Sequence, residues 1–161
     1  MKQDYRIGIG YDIHKTDKNR DLIIGGVKIP HEMGLLGHSD ADVLIHAIID
    51  AILGALALPD IGTLFPDNDP QYKNISSVIL LEKVRDLIIE KGYEINNIDS
   101  NIIAQEPKMM PYIPEMKKIL AKALKVEEQL ISIKAKTNEK MDAVGRLEAI
   151  ETNAIVMLIR K

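Results

Sequence analysis

Asp12 and His14 stand two apart at the end of a glycine-punctuated segment, and His46 follows well downstream in a helical stretch. One carboxylate and two imidazoles form a ligand set for a transition metal. Zinc held by three such ligands keeps its fourth position free for substrate or water, whereas structural zinc sites close all four, usually with cysteine. The chain has no cysteine, so a site of this kind would be chemical rather than architectural. An Asp-x-His pair alone is a weak signal, with a solvated strand end as its ordinary explanation. His46 strengthens it, because a histidine among Val43, Ala47 and Ile49 needs a buried partner or a ligand role. The competing account of His46 is a hydrogen-bonded core histidine. Asp50, one helical turn on, is either the carboxylate that orients its ring or the partner of a lysine.

Three further stretches could handle phosphate. Gly37-His38-Ser39-Asp40-Ala41-Asp42 places a histidine, a hydroxyl and backbone N–H groups at the start of a helical pattern, where an anion is favoured. Ordinary capping would explain Ser39 and Asp40 but not the glycine and histidine before them. Asp60, Asp67 and Asp69 lie among prolines and a glycine, in a long turn-rich segment that is either functional or floppy. Lys134 to Lys140 carries lysines, Thr137 and Glu139 close together; the first two types hold phosphate oxygens, and the glutamate suits a hard divalent ion. A charged loop at a sheet edge is the bland alternative. Arg146, close before Glu148, is a phosphate clamp or a surface ion pair.

The elements that must position these groups follow from periodicity. Arg6 to His14 alternates with period two, Ile7, Ile9, Tyr11 and Ile13 on one side and Gly8, Gly10, Asp12 and His14 on the other. The first side is expected to face the core. Leu22–Ile24 and Val27–Ile29 flank Gly25-Gly26 as a tight hairpin. Ser39 or Asp40 is expected to cap a helix with apolar positions Val43, Leu44, Ala47, Ile48, Ala51, Ile52 and Ala55, on which Asp42, His46 and Asp50 form one polar stripe. Leu58 to Pro70 looks too irregular for any element. A second helix runs from Ser76 or Ser77 to Lys91, stopped by Gly92, and a third from Pro114 to Leu124. Strands are expected over Tyr93–Gln105, Leu130–Ala135 and Ala154–Ile159. The sum is an α+β fold: a mainly four-stranded sheet covered on one face by helices, plus an N-terminal β-hairpin.

At 161 residues the chain reads as a single domain, residues 1–161. Hydrophobic residues at 46% and charged residues at 28% are ordinary for a soluble globular protein. Met1 to Tyr5 lacks the apolar region of a secretory signal, and no run is long enough to span a bilayer. A cytoplasmic location with no membrane partner is therefore expected. Net charge is −3, without the basic face that neutralises nucleic-acid phosphates, so no nucleic-acid partner is expected.

Taken in order, these segments resemble the 2-C-methyl-D-erythritol 2,4-cyclodiphosphate synthase family of the non-mevalonate isoprenoid pathway. The resemblance rests on Arg6-Ile7-Gly8-x-Gly10-x-Asp12-x-His14, Gly25-Gly26-Val27-x-Ile29-Pro30 and Gly37-His38-Ser39-Asp40-x-Asp42-Val43-x-x-His46-Ala47. It continues through Asp60-Ile61-Gly62-x-Leu64-Phe65-Pro66-Asp67-x-Asp69-Pro70, Ala104-Gln105-x-Pro107-Lys108-Met109 and Lys134-Ala135-x-Thr137-x-Glu139-Lys140. It implies a phosphorus–oxygen lyase that closes 4-diphosphocytidyl-2-C-methyl-D-erythritol 2-phosphate into a cyclic 2,4-diphosphate and expels CMP.

By the same resemblance Asp12, His14 and His46 would bind zinc, and Glu139 magnesium or manganese between the substrate phosphates. His38 and Thr137 would stabilise the transition state, with Asp12, His14, Ser39 and Arg146 also contacting substrate. Asp60, Ile61, Gly62, Phe65, Pro66, Asp67, Asn68 and Asp69 would line the methylerythritol part. The cytidine end would fall to Ala104, Gln105, Glu106, Pro107, Lys108, Met109 and Met110, together with Ala135, Lys136, Thr137 and Asn138. The family is a homotrimer with shared active sites, which the resemblance extends to this chain. After Glu139 the sequence departs from the family pattern, with Ala143 where an aromatic residue is usual. Two rivals remain: a metal-binding protein of the same fold without turnover, and a phosphoesterase using zinc-bound hydroxide on a nucleotide.

Overall fold

The computed structural model describes residues 4–161; Met1, Lys2 and Gln3 of the stretch read for a secretory signal lie outside them. Strand β1, Tyr5–Asp17, keeps the anticipated alternation with its two sides exchanged. Ile7, Ile9, Tyr11 and Ile13 are 65, 73, 53 and 43% exposed, whereas Gly8 and Gly10 are buried. The cause is steric. Helix α1, Val43–Ala55, lies directly on the glycines: a Cβ added at Gly8 would fall 1.7 Å from the Ala51 carbonyl oxygen, and one at Gly10 1.8 Å from that of Ala47. Only residues without a side chain let a helix backbone come this close to a strand. In α1 every residue except Asp50 and Gly54 is buried, so the helix is the centre of the core rather than its cover.

Gly25 and Gly26 adopt φ of 61° and 76°, the paired positive values that a two-residue hairpin turn needs. They join β2, Leu22–Ile24, to β3, Val27–Ile29, as a separate two-stranded sheet. Asp42, rather than Ser39 or Asp40, caps α1. Its fully buried carboxylate accepts from Ile45 N at 3.0 Å and from the turn amides of Gly25 and Gly26 at 2.9 and 2.7 Å. One side chain thus fixes both the helix start and the hairpin.

The main sheet has five strands where mainly four were expected. Strands β4, Gly34–Leu35, β5, Tyr93–Ile103, β6, Ile131–Lys136, and β7, Ala149–Arg160, join β1 in the order β4-β1-β7-β5-β6. The addition is β4, a short strand paired with Thr16 and Asp17. Among the described strands only β5 and β6 pair in parallel. Strand β7 begins before the expected Ala154 because Ala149 to Asn153 pair with Lys15 to Tyr11.

The segment read as irregular holds α2, Ile61–Leu64, and a 3₁₀ turn at Pro70–Tyr72, capped by Asp60 and Asp69 respectively. Helix α3, Ser77–Glu90, packs against α1, and α4, Ile113–Leu124, packs against α3, with Leu81, Val84, Met116 and Leu120 in the shared core. A short α5, Asp142–Gly145, precedes β7. Among the described residues no helix is long and apolar enough to cross a membrane.

Candidate metal centre

Asp12 and His14 project from the glycine side of β1, and His46 meets them from the first turns of α1. The close strand–helix contact at Gly10 and Ala47 is what brings them together. Their ligand atoms lie within 4.8 Å of one another. Asp12 Oδ2 is 2.9 Å from His14 Nε2 and 3.0 Å from His46 Nδ1, and the two nitrogens are 3.3 Å apart. His14 Nδ1 faces the Leu36 carbonyl at 2.8 Å. A carbonyl only accepts, so Nδ1 carries the proton and Nε2 turns its lone pair toward Asp12 and His46. A carboxylate oxygen and imidazole lone pairs converging on one point need a positive charge between them, either a proton or a metal ion. Three nitrogen and oxygen donors with an open side suit zinc, so the residues fit the metal.

Burial opposes charge on both Asp12 and His14, and their mutual contacts outweigh it. Hydrogen bonds from His14 and His46 hold the Asp12 carboxyl down at about 2, and the Asp12 bond and charge raise His14 above 6.5. Asp12 has a lowered pKa, so without metal its contribution is present above 3.8 and is lost as pH falls through about 2. His14 has a raised pKa, so its contribution is present below 6.5 and is lost as pH rises through its folded value. The pair therefore stabilises the metal-free fold most between 3.8 and 6.5. Asp12→Asn is expected to lower the metal-free urea midpoint more at about pH 5 than at about pH 9. An equal loss at both values would contradict this coupling.

The centre opens into a cleft of about 200 Å³ that His38, Ser39, Ile61, Gly62, Phe65 and Asp67 also line. His38 Nε2 is 3.1 Å from the Asp69 carbonyl and donates to it, which ties the Gly37–Asp42 turn to the Asp60–Asp69 segment. Arg20 Nη2 donates to the Ser39 carbonyl at 2.6 Å and leaves the Ser39 hydroxyl at the cleft. Asp60 and Asp69 spend their carboxylates on capping, accepting from Thr63 and Gln71. Pro66 and Asn68 belong to the same segment without lining this cleft. Asp50 does not orient His46. Its Oδ1 accepts from Ile61 N at 2.8 Å, anchoring α2 beside the cleft.

The remaining candidates gather elsewhere. A second cavity of about 410 Å³ is lined by Ala104, Gln105, Pro107, Lys108, Met109, Met110, Ala135, Lys136 and Thr137. Gln105 Oε1 accepts from Lys140 N at 3.0 Å, which pins the loop carrying Glu139 against this wall. Asn138 donates to the Met141 carbonyl, and Glu106 lines a smaller neighbouring cavity. Arg146 pairs with Glu148 at 3.1 Å, both exposed.

Register fixes how far apart the two groups are. Asp12 pairs with Thr152, Thr152 with Ile102, and Ile102 with Ala135. Three strand spacings of about 4.8 Å put Ala135 about 14 Å from Asp12 along the sheet. One chain thus separates the metal centre from Thr137 and Glu139. A larger cavity of about 600 Å³, among Arg85, Tyr93, Leu124 and Lys161, contains none of the candidate residues.

Sequence reasoning missed Tyr72 and Leu80 in the cleft wall, the Leu36 carbonyl behind His14, and Arg20 behind Ser39. All four meet the site through long-range packing, which no local spacing announces.

The YgbB family model matches residues 5–159. A Clostridium botulinum protein, 2-C-methyl-D-erythritol 2,4-cyclodiphosphate synthase, is 60% identical over 153 residues, covering 95% of this chain and 99% of its own. The structure of Plasmodium falciparum IspF in complex with CDP is 44% identical with a TM-score of 0.87, covering 100% of this chain and 99% of its own. The bifunctional IspDF of Campylobacter jejuni is 41% identical with a TM-score of 0.95; the match covers 99% of this chain and 43% of that longer one.

Proposed function

The chain belongs to the YgbB family, and on that premise we propose that its metal-centred cleft forms 2-C-methyl-D-erythritol 2,4-cyclodiphosphate, the product for which relatives at 60% identity are named. The observation that carries the reading is the convergence of Asp12, His14 and His46 at the head of a cleft walled by the family's other motif residues. The reaction is a phosphorus–oxygen lyase step within one substrate, 4-diphosphocytidyl-2-C-methyl-D-erythritol 2-phosphate. A 2-phosphate oxygen bonds to the β-phosphorus, the bond from that phosphorus to the bridging oxygen breaks, and CMP leaves with the bridging oxygen. Residues 1–161 act as one catalytic domain.

Such chemistry needs alignment and charge neutralisation more than a covalent nucleophile. Zinc on Asp12, His14 and His46 would supply Lewis-acid polarisation of a phosphate oxygen, and magnesium or manganese on Glu139 would neutralise its neighbours. The chain's own residues do the rest. Ile61, Gly62 and Phe65 enclose the methylerythritol part. The Ser39 hydroxyl and the His38 ring face the phosphates, the first placed by the Arg20 bond to the Ser39 carbonyl and the second by its own bond to the Asp69 carbonyl. Ala104 to Met110 and Ala135 to Asn138 form the cytidine wall, with Thr137 at its phosphate end. The CDP bound by the Plasmodium falciparum relative supports a cytidine nucleotide as the occupant.

A trimer with shared active sites reconciles the separation of the two groups with a single substrate, because a neighbour's cytidine wall can face this chain's metal centre. The open sheet face supports such an assembly. Tyr5, Ile7 and Ile9 pair with Ile159, Met157 and Ile155, an apolar ladder of the kind that marks an interface. Ile9→Glu is expected to convert a three-chain particle into single chains of 18.0 kDa and to remove activity with it. Light scattering checks this, and a monomeric wild type would deny the assembly.

The function itself is tested by incubation with the diphosphocytidyl substrate, zinc and magnesium. CMP with a cyclic diphosphate is the expected result, and inorganic phosphate in their place would indicate a phosphoesterase.

A further inference from the structure

The two histidines of the centre are held from behind by different partners. His14 leans on a backbone carbonyl, whereas His46 Nε2 lies 2.9 Å from the Ser77 hydroxyl. Ser77 is completely buried at the first turn of α3. Its hydroxyl has a single proton, which it donates to Asp40 Oδ1. Toward His46 the oxygen can therefore only accept. That requires the proton of His46 to sit on Nε2 and leaves the Nδ1 lone pair, which faces Asp12 Oδ2 and His14 Nε2, for a metal.

Asp40 is itself fixed. Its Oδ2 accepts from Ser77 N at 2.9 Å, its Oδ1 from Asp42 N at 3.1 Å, and its own N–H donates to the Ile75 carbonyl. Ser39 Oγ also comes within 3.2 Å of His46 Nε2. Among the described residues no carboxylate takes the Ser39 proton, so that contact imposes no tautomer, and Ser39 can turn toward substrate.

We propose that Ser77 and Asp40 are positioning residues for the metal centre: a relay from carboxylate through hydroxyl to imidazole that fixes the tautomer and ring orientation of His46 and strengthens it as a ligand. The inference rests on the metal reading above and extends it to residues that touch neither metal nor substrate. Outer partners of this type hold ligand rings in place and raise their basicity. The relay also has a structural side. Ser76 makes no side-chain cap for α3, and Asp40 accepts the Ser77 amide in its place, so the carboxylate that orients His46 also docks the start of that helix.

Two measurements test the relay. In the zinc-loaded wild type labelled with ¹⁵N-histidine, NMR should show His46 protonated at Nε2, in slow exchange, and metal-shifted at Nδ1. A His46 bound through Nε2, or protonated at Nδ1, overturns the proposal without any variant. In competition titrations against a chelator, Ser77→Ala should weaken zinc binding by about 10- to 100-fold. Ser77→Thr, which keeps the hydroxyl, should recover most of that loss, and Asp40→Asn should weaken binding by about tenfold through loss of charge. Unchanged zinc affinity in both Ser77→Ala and Asp40→Asn, with each folded by circular dichroism, overturns the relay. A wild type that takes up no zinc counts against the proposed function instead, so the two failures are distinguishable.

Discussion

His46→Ala is expected to leave a folded protein that no longer retains zinc and turns over about 10³-fold more slowly, on the basis that Lewis-acid stabilisation is worth several kcal/mol. The size follows from geometry. Asp12 Oδ2 bridges His14 and His46 at 2.9 and 3.0 Å, so removing one imidazole leaves two ligands, too few to hold the ion against solvent. His46 is the most enclosed of the three, at 11% side-chain exposure against 19% for His14 and 25% for Asp12. Water therefore substitutes for it least well. Zinc per chain by atomic emission and CMP release on one sample are the checks. Normal turnover in a zinc-free variant would remove the metal from the mechanism.

Gly10→Ala is expected to be about as damaging from a position that ligates nothing. The added methyl carbon would sit 1.8 Å from the Ala47 carbonyl oxygen and 2.8 Å from Ala51 N, both backbone atoms that no rotamer change can move aside. Helix and strand must separate, at a cost of about 3 kcal/mol or more by comparison with overpacked cores. Asp12 rides on the strand and His46 on the helix, so the same displacement opens the ligand triangle. Unfolding by urea and zinc titration should both register the change. Gly54→Ala is the control. A Cβ there would meet nothing nearer than 3.8 Å, and in a helix alanine is favoured over glycine by up to about 1 kcal/mol. Equal stability of the Gly10 and Gly54 variants would refute the close-contact account.

Much of this architecture was legible because it is locally encoded. The Gly25-Gly26 turn, the apolar stripe of α1 and the run of α3 up to Gly92 are each written within a short stretch of chain. The meeting of Asp12, His14 and His46 was legible from ligand chemistry, since residues of those types embedded in apolar surroundings must find one another or another partner. What period-two alternation in β1 could not reveal is which side is inside. Hydrophobicity argued for the isoleucines, but the decision belongs to α1, far along the chain, whose backbone requires the bare glycine surface. The isoleucines then face out, where another chain can cover them. Asp40 and Ser77 escaped notice for a related reason. As a capping residue and a helix-start serine they looked ordinary, and only the tertiary path between them reaches His46.

The exchange of sides along β1 makes this strand a two-track ruler. Odd positions carry Ile7, Ile9 and Tyr11, and even positions carry Gly8, Gly10, Asp12 and His14. A single deletion or insertion before Asp12 would swap the tracks, pressing isoleucines into the helix and turning the ligands outward. Changes of length there should be ruinous even when every residue type is kept.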